Sequence, residues 1–316
     1  MTTIGLDLGS SEFRSMWTDG ESLIARRCPA IYMTMMDTPA HRRLLEQSKT
    51  RFASCSEQLL VFGDAALEWS AMLSLPTLPL LRGGYIPASD SISRQILAIM
   101  IDTMLPQPTG SGRLCRMTLP GSGMDDRIAT RDADFFQQLV TLRGYRPQLI
   151  TATEALALAE LNDAAFSGTV ISIGHSTCEF GVMHCGREVI RCAILNGLES
   201  LDEAPRLDDP SIQDDVSTKN LHREYSRFFA EIVAEAKSQF ELDRTLKTLP
   251  GSMPVVCAGA ITSSPSFLRL FQKVWNESGW PVSTGPVRVS SDPDLSIVRG
   301  CLIQTELDQP RERQVA

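Results

Sequence analysis

The chain opens on alternation. Ile4, Leu6 and Leu8 flank Asp7, and a Gly9-Ser10-Ser11 turn leads to a second alternating stretch, "EFRSMW". This period of two predicts strand, turn and strand, and "TDGE" supplies the turn into a third. "RCPAIYMTM" predicts another strand. The polar stretch "DTPAHRRLLEQSKTRFASCSEQ" then predicts a small insertion, about residues 33–60, returning to a helix at "LLVFGDAALEWSAML". Farther on the period changes to that of a helix, with Ile92, Ile96, Leu97, Ile99, Met100 and Met104 on one stripe and Ser89 or Asp90 as its cap. "GRLCRMTLPGSGMDDRIATRDADFFQQLVTLRGY" reads as strand, Pro-Gly loop and helix, and "PQLITATEALALAEL" repeats the scheme. "GTVISIGHSTCEFGVMHCGREVIRCAIL" then restores the opening meander of strands and glycine turns. A second helical stripe follows, carrying Leu221, Tyr225, Phe228, Phe229, Ile232, Val233, Ala236 and Phe240. Its polar face includes Glu231, Glu235 and Lys237, read as solvated. A meander that occurs twice predicts a duplicated α/β topology, two lobes and a cleft between them.

Composition narrows the functions. At 316 residues, with 43% hydrophobic and 22% charged residues, the chain matches an ordinary folded protein. A net charge of −8 and a pI near 5.1 argue against nucleic-acid binding, which needs a basic face. The pattern has neither a membrane-length apolar run nor a leader-like N-terminus, so a cytoplasmic location is expected. The eight cysteines form no C-x-x-C pair and are expected as reduced thiols. His175, Cys178, His184 and Cys185 have zinc-ligand chemistry, but strand alternation separates their side chains.

Candidate chemistry begins at Asp7. A carboxylate among buried apolar neighbours needs a cationic or hydrogen-bonding partner. A metal-bound phosphate is one such partner, with Gly9, Ser10 and Ser11 turning N–H and hydroxyl groups toward it; a plain hairpin start is the other reading.

Five ordered segments together resemble the actin-like ATPase superfamily, closest in pattern to MreB-like bacterial actins and heat-shock chaperone nucleotide domains. "IGLDLGSSEFRSMW" is similar to the first phosphate loop and "VISIGHSTCEFGVM" to the second. "ATEALALAEL" and "DPDLSIVRGCLI" are similar to the two connecting helices, and "VVCAGAITSSPSFLRLF" to the adenosine motif. The resemblance implies a two-lobed, ribonuclease-H-like duplicated fold with a central cleft. Lobe I is expected over 1–149, completed by a C-terminal helix at about 294–307. Lobe II is expected over 150–293 with a reduced upper subdomain, and 308–316 as a flexible tail.

Carried across, the resemblance implies ATP or ADP with Mg2+ as cofactor and Asp7 holding a metal-bound water. It places Gly9, Ser10, Ser11, Gly174, His175 and Ser176 at the phosphates, and Gly197, Gly259 and Ala260 farther along the nucleotide. Glu154 falls where the family orients the attacking water, although a helix-start Glu also fits the pattern. The chain departs from the family at Ser172, which stands where an aspartate helps hold the metal waters, and at His175 and Ser176, which replace bare glycines. His175 either donates to a phosphate or fills its space. Two functional expectations follow. One is a weak or degenerate nucleotide binder acting as scaffold or regulator through a protein partner or self-association. The other is a slow Mg-dependent ATPase of the MreB-like or chaperone type, with filament formation as its extension.

Overall fold

The computed structural model describes residues 3–308 except 89, 109, 111, 122–126, 202–203, 213 and 250. The expected tail beyond residue 308 lies outside them. Strands β1 (Ile4–Leu8), β2 (Glu12–Asp19) and β3 (Ser22–Pro29) form the antiparallel meander that the alternation predicts. All five residues of β1 are buried: a second neighbour covers its other edge, and the C-terminal helix packs across its face. That neighbour arrives after β4 (Ile31–Met36), α1 (Pro39–Gln47), β5 (Phe52–Cys55), β6 (Gln58–Phe62), α2 (Asp64–Leu73), β7 (Leu78–Pro79) and α3 (Ser91–Met104).

The four strands from β4 to β7 make their own sheet in the order β5-β6-β4-β7. Met33, Met35, Leu45, Leu59, Val61, Ala66 and Trp69 form its core. The polar stretch read as an insertion is therefore α1 and the β5–β6 hairpin of a packed unit. Of the two caps offered for α3, Asp90 accepts from the N–H groups of Ile92 and Ser93, and residue 89 lies outside the described residues. β8 (Arg113–Thr118), α4 (Arg127–Leu142) and β9 (Tyr145–Leu149) complete a five-stranded sheet, β3-β2-β1-β8-β9, with β1, β8 and β9 parallel.

The second half repeats this plan. After α5 (Ala152–Glu160), strands β10 (Gly168–Ile173), β11 (Cys178–His184) and β12 (Arg187–Ile194) form another antiparallel meander. α6 (Asp215–Phe240), β13 (Met253–Ala258), α7 (Phe267–Ser278), β14 (Thr284–Val289) and α8 (Ser296–Asp308) follow. The sheet order, β12-β11-β10-β13-β14, reproduces the first sheet position for position.

All eight apolar residues predicted on the α6 stripe are buried. The Phe229 ring meets Phe267 and Phe271 of α7 at centroid distances of 5.4 Å each. Burial of each such side chain is worth about 1.5–3 kcal/mol. The helix begins at Asp215, six residues before the first stripe residue, because Asp214 caps it by accepting from the Ser217 N–H.

Two helices join the halves. α8 returns to the first sheet, where the Thr305 hydroxyl donates to the Ile4 carbonyl and Arg116 pairs with Asp308. It also crosses α5 so closely that a Cβ on Gly300 would lie 1.8 Å from the Ala155 carbonyl oxygen. Glu160, at the end of α5, is 7% exposed and accepts from Arg299, Arg288, the Ser291 N–H and hydroxyl, and the Ser296 hydroxyl. Burial opposes ionisation there, but hydrogen bonds from Ser296, Ser291 and Arg288 hold the carboxyl below its ordinary range.

Candidate functional site: two facing hairpins

The site is built by two hairpins of one design. Asp7 on β1 pairs across the strands with Arg14 on β2, and Ser172 on β10 pairs with Glu179 on β11. The turns match as well: the Gly9 N–H donates to the Glu12 carbonyl at 3.1 Å, and the Gly174 N–H to the Thr177 carbonyl at 3.0 Å. A Cβ would lie 2.9 Å from the Glu12 oxygen at Gly9 and 2.7 Å from the Thr177 oxygen at Gly174. Each glycine is thus needed for the close approach that shapes the turn. The Ser176 N–H donates to the Ser10 hydroxyl at 3.2 Å, so the two turns meet.

Between them lies a cavity of about 150 Å³. Asp7, Gly9, Ser10 and Ser11 line it from the first half, and Gly174, His175, Gly259 and Ala260 from the second. Gly259 has φ +119°, and a Cβ there would sit 2.1 Å from the Ile173 carbonyl oxygen. Strand packing, as well as any ligand, requires glycine at this position.

The structure does not bring every expected residue to this cavity. Gly197 packs behind the second turn, where a Cβ would lie 2.3 Å from the His175 carbonyl oxygen. Ser176 also faces away from the cavity lining, its hydroxyl donating to Glu199 at 2.8 Å. Glu154 is the largest displacement. α5 presents Ala152 to the cavity, and Glu154, two positions on, points about 200° around the helix. Its carboxyl is raised from the ordinary value by burial and by Glu188, with Arg116 and Arg191 opposing. Helix phase therefore removes Glu154 from the cleft.

Arg14 and Glu179 line the cavity instead. The sequence carries a signal for them: 7 to 14 and 172 to 179 are the same interval across equivalent turns. Arg14 Nη1 lies 3.2 Å from Asp7 Oδ2, and Nη2 lies 2.7 Å from Glu12. Glu12 also pairs with Arg27 at 3.0 Å, and Arg27 with Asp294 at 3.1 Å. Alternating charges thus run from the cleft floor to its rim. Glu179 is 3% exposed, and its Oε2 has no hydrogen-bond partner. Burial pushes its carboxyl up to about 8, Arg191 opposing and Glu188 and Asp7 adding to the rise. At pH 7 it is mostly neutral.

The donor set does not fit a resident divalent cation. Asp7 Oδ1 accepts from the Thr118 hydroxyl at 2.6 Å and Oδ2 faces Arg14, so both oxygens are engaged. Ser172 offers a neutral hydroxyl, and no group of three or more His, Cys, Asp or Glu among the described residues is arranged to hold a metal ion. Nor is any helix among them long and apolar enough to cross a membrane.

The duplicated sheets and the cleft between their hairpins define the actin-like fold. Solved structures agree: a MamK double helical filament matches with a TM-score of 0.65 at 14% identity, over 98% of this chain and 99% of that one. MreB 5 of Spiroplasma citri bound to AMPPNP matches with 0.65 at 13% identity, over 97% and 96%. A non-polymerising MamK mutant bound to AMPPNP matches with 0.60 at 14% identity, over 96% and 98%. Within this class the chain belongs to the Volactin family, whose model matches residues 1–207. No curated protein sequence matches it.

Proposed function

We propose that this chain is a weak or degenerate nucleotide-binding protein of the actin-like class, acting as a scaffold or regulator through a protein partner or through self-association. The observation that carries the reading is the pair of matched turns meeting across the cleft, Ser176 N–H to Ser10 hydroxyl. Where they meet, the turns line one cavity with the short residues Gly9, Ser10, Ser11 and Gly174 and with His175, a concave small-residue backbone of the kind that takes an anion. In this reading Gly9, Ser10, Ser11, Gly174 and His175 face the phosphates, and Gly259 and Ala260 lie farther along the nucleotide. AMPPNP is bound in the solved MreB 5 and MamK mutant structures of this fold, and MamK forms a filament, which supports both halves of the proposal.

Weakness follows from size. The cavity of about 150 Å³ is below the span of about 300–1,000 Å³ usual for small-molecule sites, so the lobes must part to admit a whole nucleotide. The test is a thermal melt of the protein with and without millimolar ATP or ADP. A ligand at 100 times its Kd adds about 2.7 kcal/mol, enough to raise Tm by several degrees. An unchanged Tm with both nucleotides defeats the reading.

A second reading, slow hydrolysis, is favoured by Glu179, a carboxyl residue of the cavity lining. A general base works best with a pKa near the operating pH and in its ionised form. A carboxyl at about 8 is mostly protonated at pH 7, which predicts low turnover, rising between pH 7 and 9. Phosphate release measured across that range, and abolished in Glu179→Gln, would establish it; equal rates in the variant would end it.

A further inference from the structure

We propose that Arg14 takes the place of a divalent cation in this cleft, so that the nucleotide phosphates are held by its guanidinium and the two turns, and binding does not require Mg2+. The inference rests on the reading of the cleft as a nucleotide site. Its starting point is the disagreement between the donor set and a resident metal: both Asp7 oxygens are engaged, and Ser172 carries no charge. Mg2+ is usually held through one or two carboxylates together with substrate phosphates. Direct coordination by Asp7 would compete with the Thr118 hydroxyl at Oδ1 and with the Arg14 guanidinium at Oδ2.

Arg14 has what the phosphates need. Among the described residues lining the cavity it is the sole Lys or Arg, beside three carboxyl groups, Asp7, Glu179 and Asp294. Its Nη1 lies 3.7 Å from where a Cβ on Gly9 would stand, so the guanidinium sits over the first turn. The side chain is 14% exposed and held by Asp7 and Glu12, which fixes the guanidinium before a ligand arrives. Its Nε is buried with no hydrogen-bond partner. Nη1, over the first turn, carries two N–H groups; one is used by Asp7, and the second is the donor offered to a phosphate oxygen. Asp7 is then a positioning residue for Arg14.

The deciding experiment is isothermal titration calorimetry of the full chain with ATP and with ADP, in millimolar Mg2+ and in excess EDTA, for the wild type, Arg14→Lys and Arg14→Met. Wild-type Kd in EDTA is expected within about threefold of that in Mg2+. Arg14→Met is expected to bind about 10- to 100-fold more weakly in EDTA, and Arg14→Lys to fall between. Binding in Mg2+ that vanishes in EDTA overturns the proposal and leaves the nucleotide reading standing. Equal binding by Arg14→Met and wild type in EDTA also overturns it. No wild-type binding in either buffer defeats the nucleotide reading itself, and the proposal with it. The wild-type comparison decides even if Arg14→Met fails to fold.

Discussion

The two hairpins share a backbone and differ in charge. Around Gly9 and Gly174 the same N–H closes on the same carbonyl, and the same interval separates the paired side chains. Yet the first hairpin carries the ion pair Asp7–Arg14, while the second carries the neutral hydroxyl of Ser172 beside a buried, mostly protonated Glu179. Turn geometry is fixed by backbone packing, which tolerates only glycine at the tight positions. The cross-strand pair is free to vary, because either pair can be accommodated between two strands. Chemistry in this cleft can therefore diverge while its shape stays duplicated.

That comparison can be broken most severely at the strand ends. The residue after β13 is Gly259, whereas the matching residue after β8 is Leu119. Only the former packs a would-be Cβ 2.1 Å from a carbonyl oxygen at φ +119°. Gly259→Ala is expected to cost about 3 kcal/mol, the top of the usual overpacking range, as read by urea denaturation. Conservative exchange at Leu119 should cost far less.

Next come the turn glycines. Gly9→Ala and Gly174→Ala should each cost about 1–3 kcal/mol and by similar amounts. A loss confined to one of them would show that the hairpins are not equivalent.

Glu179→Gln sharpens the difference in charge. Because the folded-state pKa is raised to about 8, the folded protein holds a proton that the unfolded chain releases near pH 4.5. Stability therefore falls as pH rises between those values. Glu179→Gln should remove that slope, making the variant more stable than the wild type at pH 8, with the gap shrinking toward pH 5. Parallel pH profiles would contradict the assignment. The smallest effect is expected for Ser10→Ala, which removes the acceptor of the Ser176 N–H. It should cost about 1 kcal/mol, measured in the same denaturation series.

Legibility followed the range of the interactions involved. Alternation around Asp7 and Ser172 marked both meanders, and the stripe from Leu221 to Phe240 marked α6, because each pattern records one element facing one core. Arg14 was hidden by the same rule. A charged residue in an alternating strand reads as facing solvent, whereas β2 turns this one toward a cleft that the other lobe closes. The polar stretch after Met36 read as an insertion because α1 is mostly exposed and β5 only half-buried, and their small core draws its residues from separate segments.

The sequence by itself determined the duplicated order of strands and helices and the two glycine turns. These depend on local periodicity and on backbone positions that only glycine can fill. Tertiary structure alone decided which carboxyl stands in the cleft. The phase of α5 carries Glu154 away and the pairing of β10 with β11 brings Glu179 in. The ionisation of Glu179 likewise depends on burial and on Arg191, Glu188 and Asp7, which reach it only when distant parts of the chain pack together.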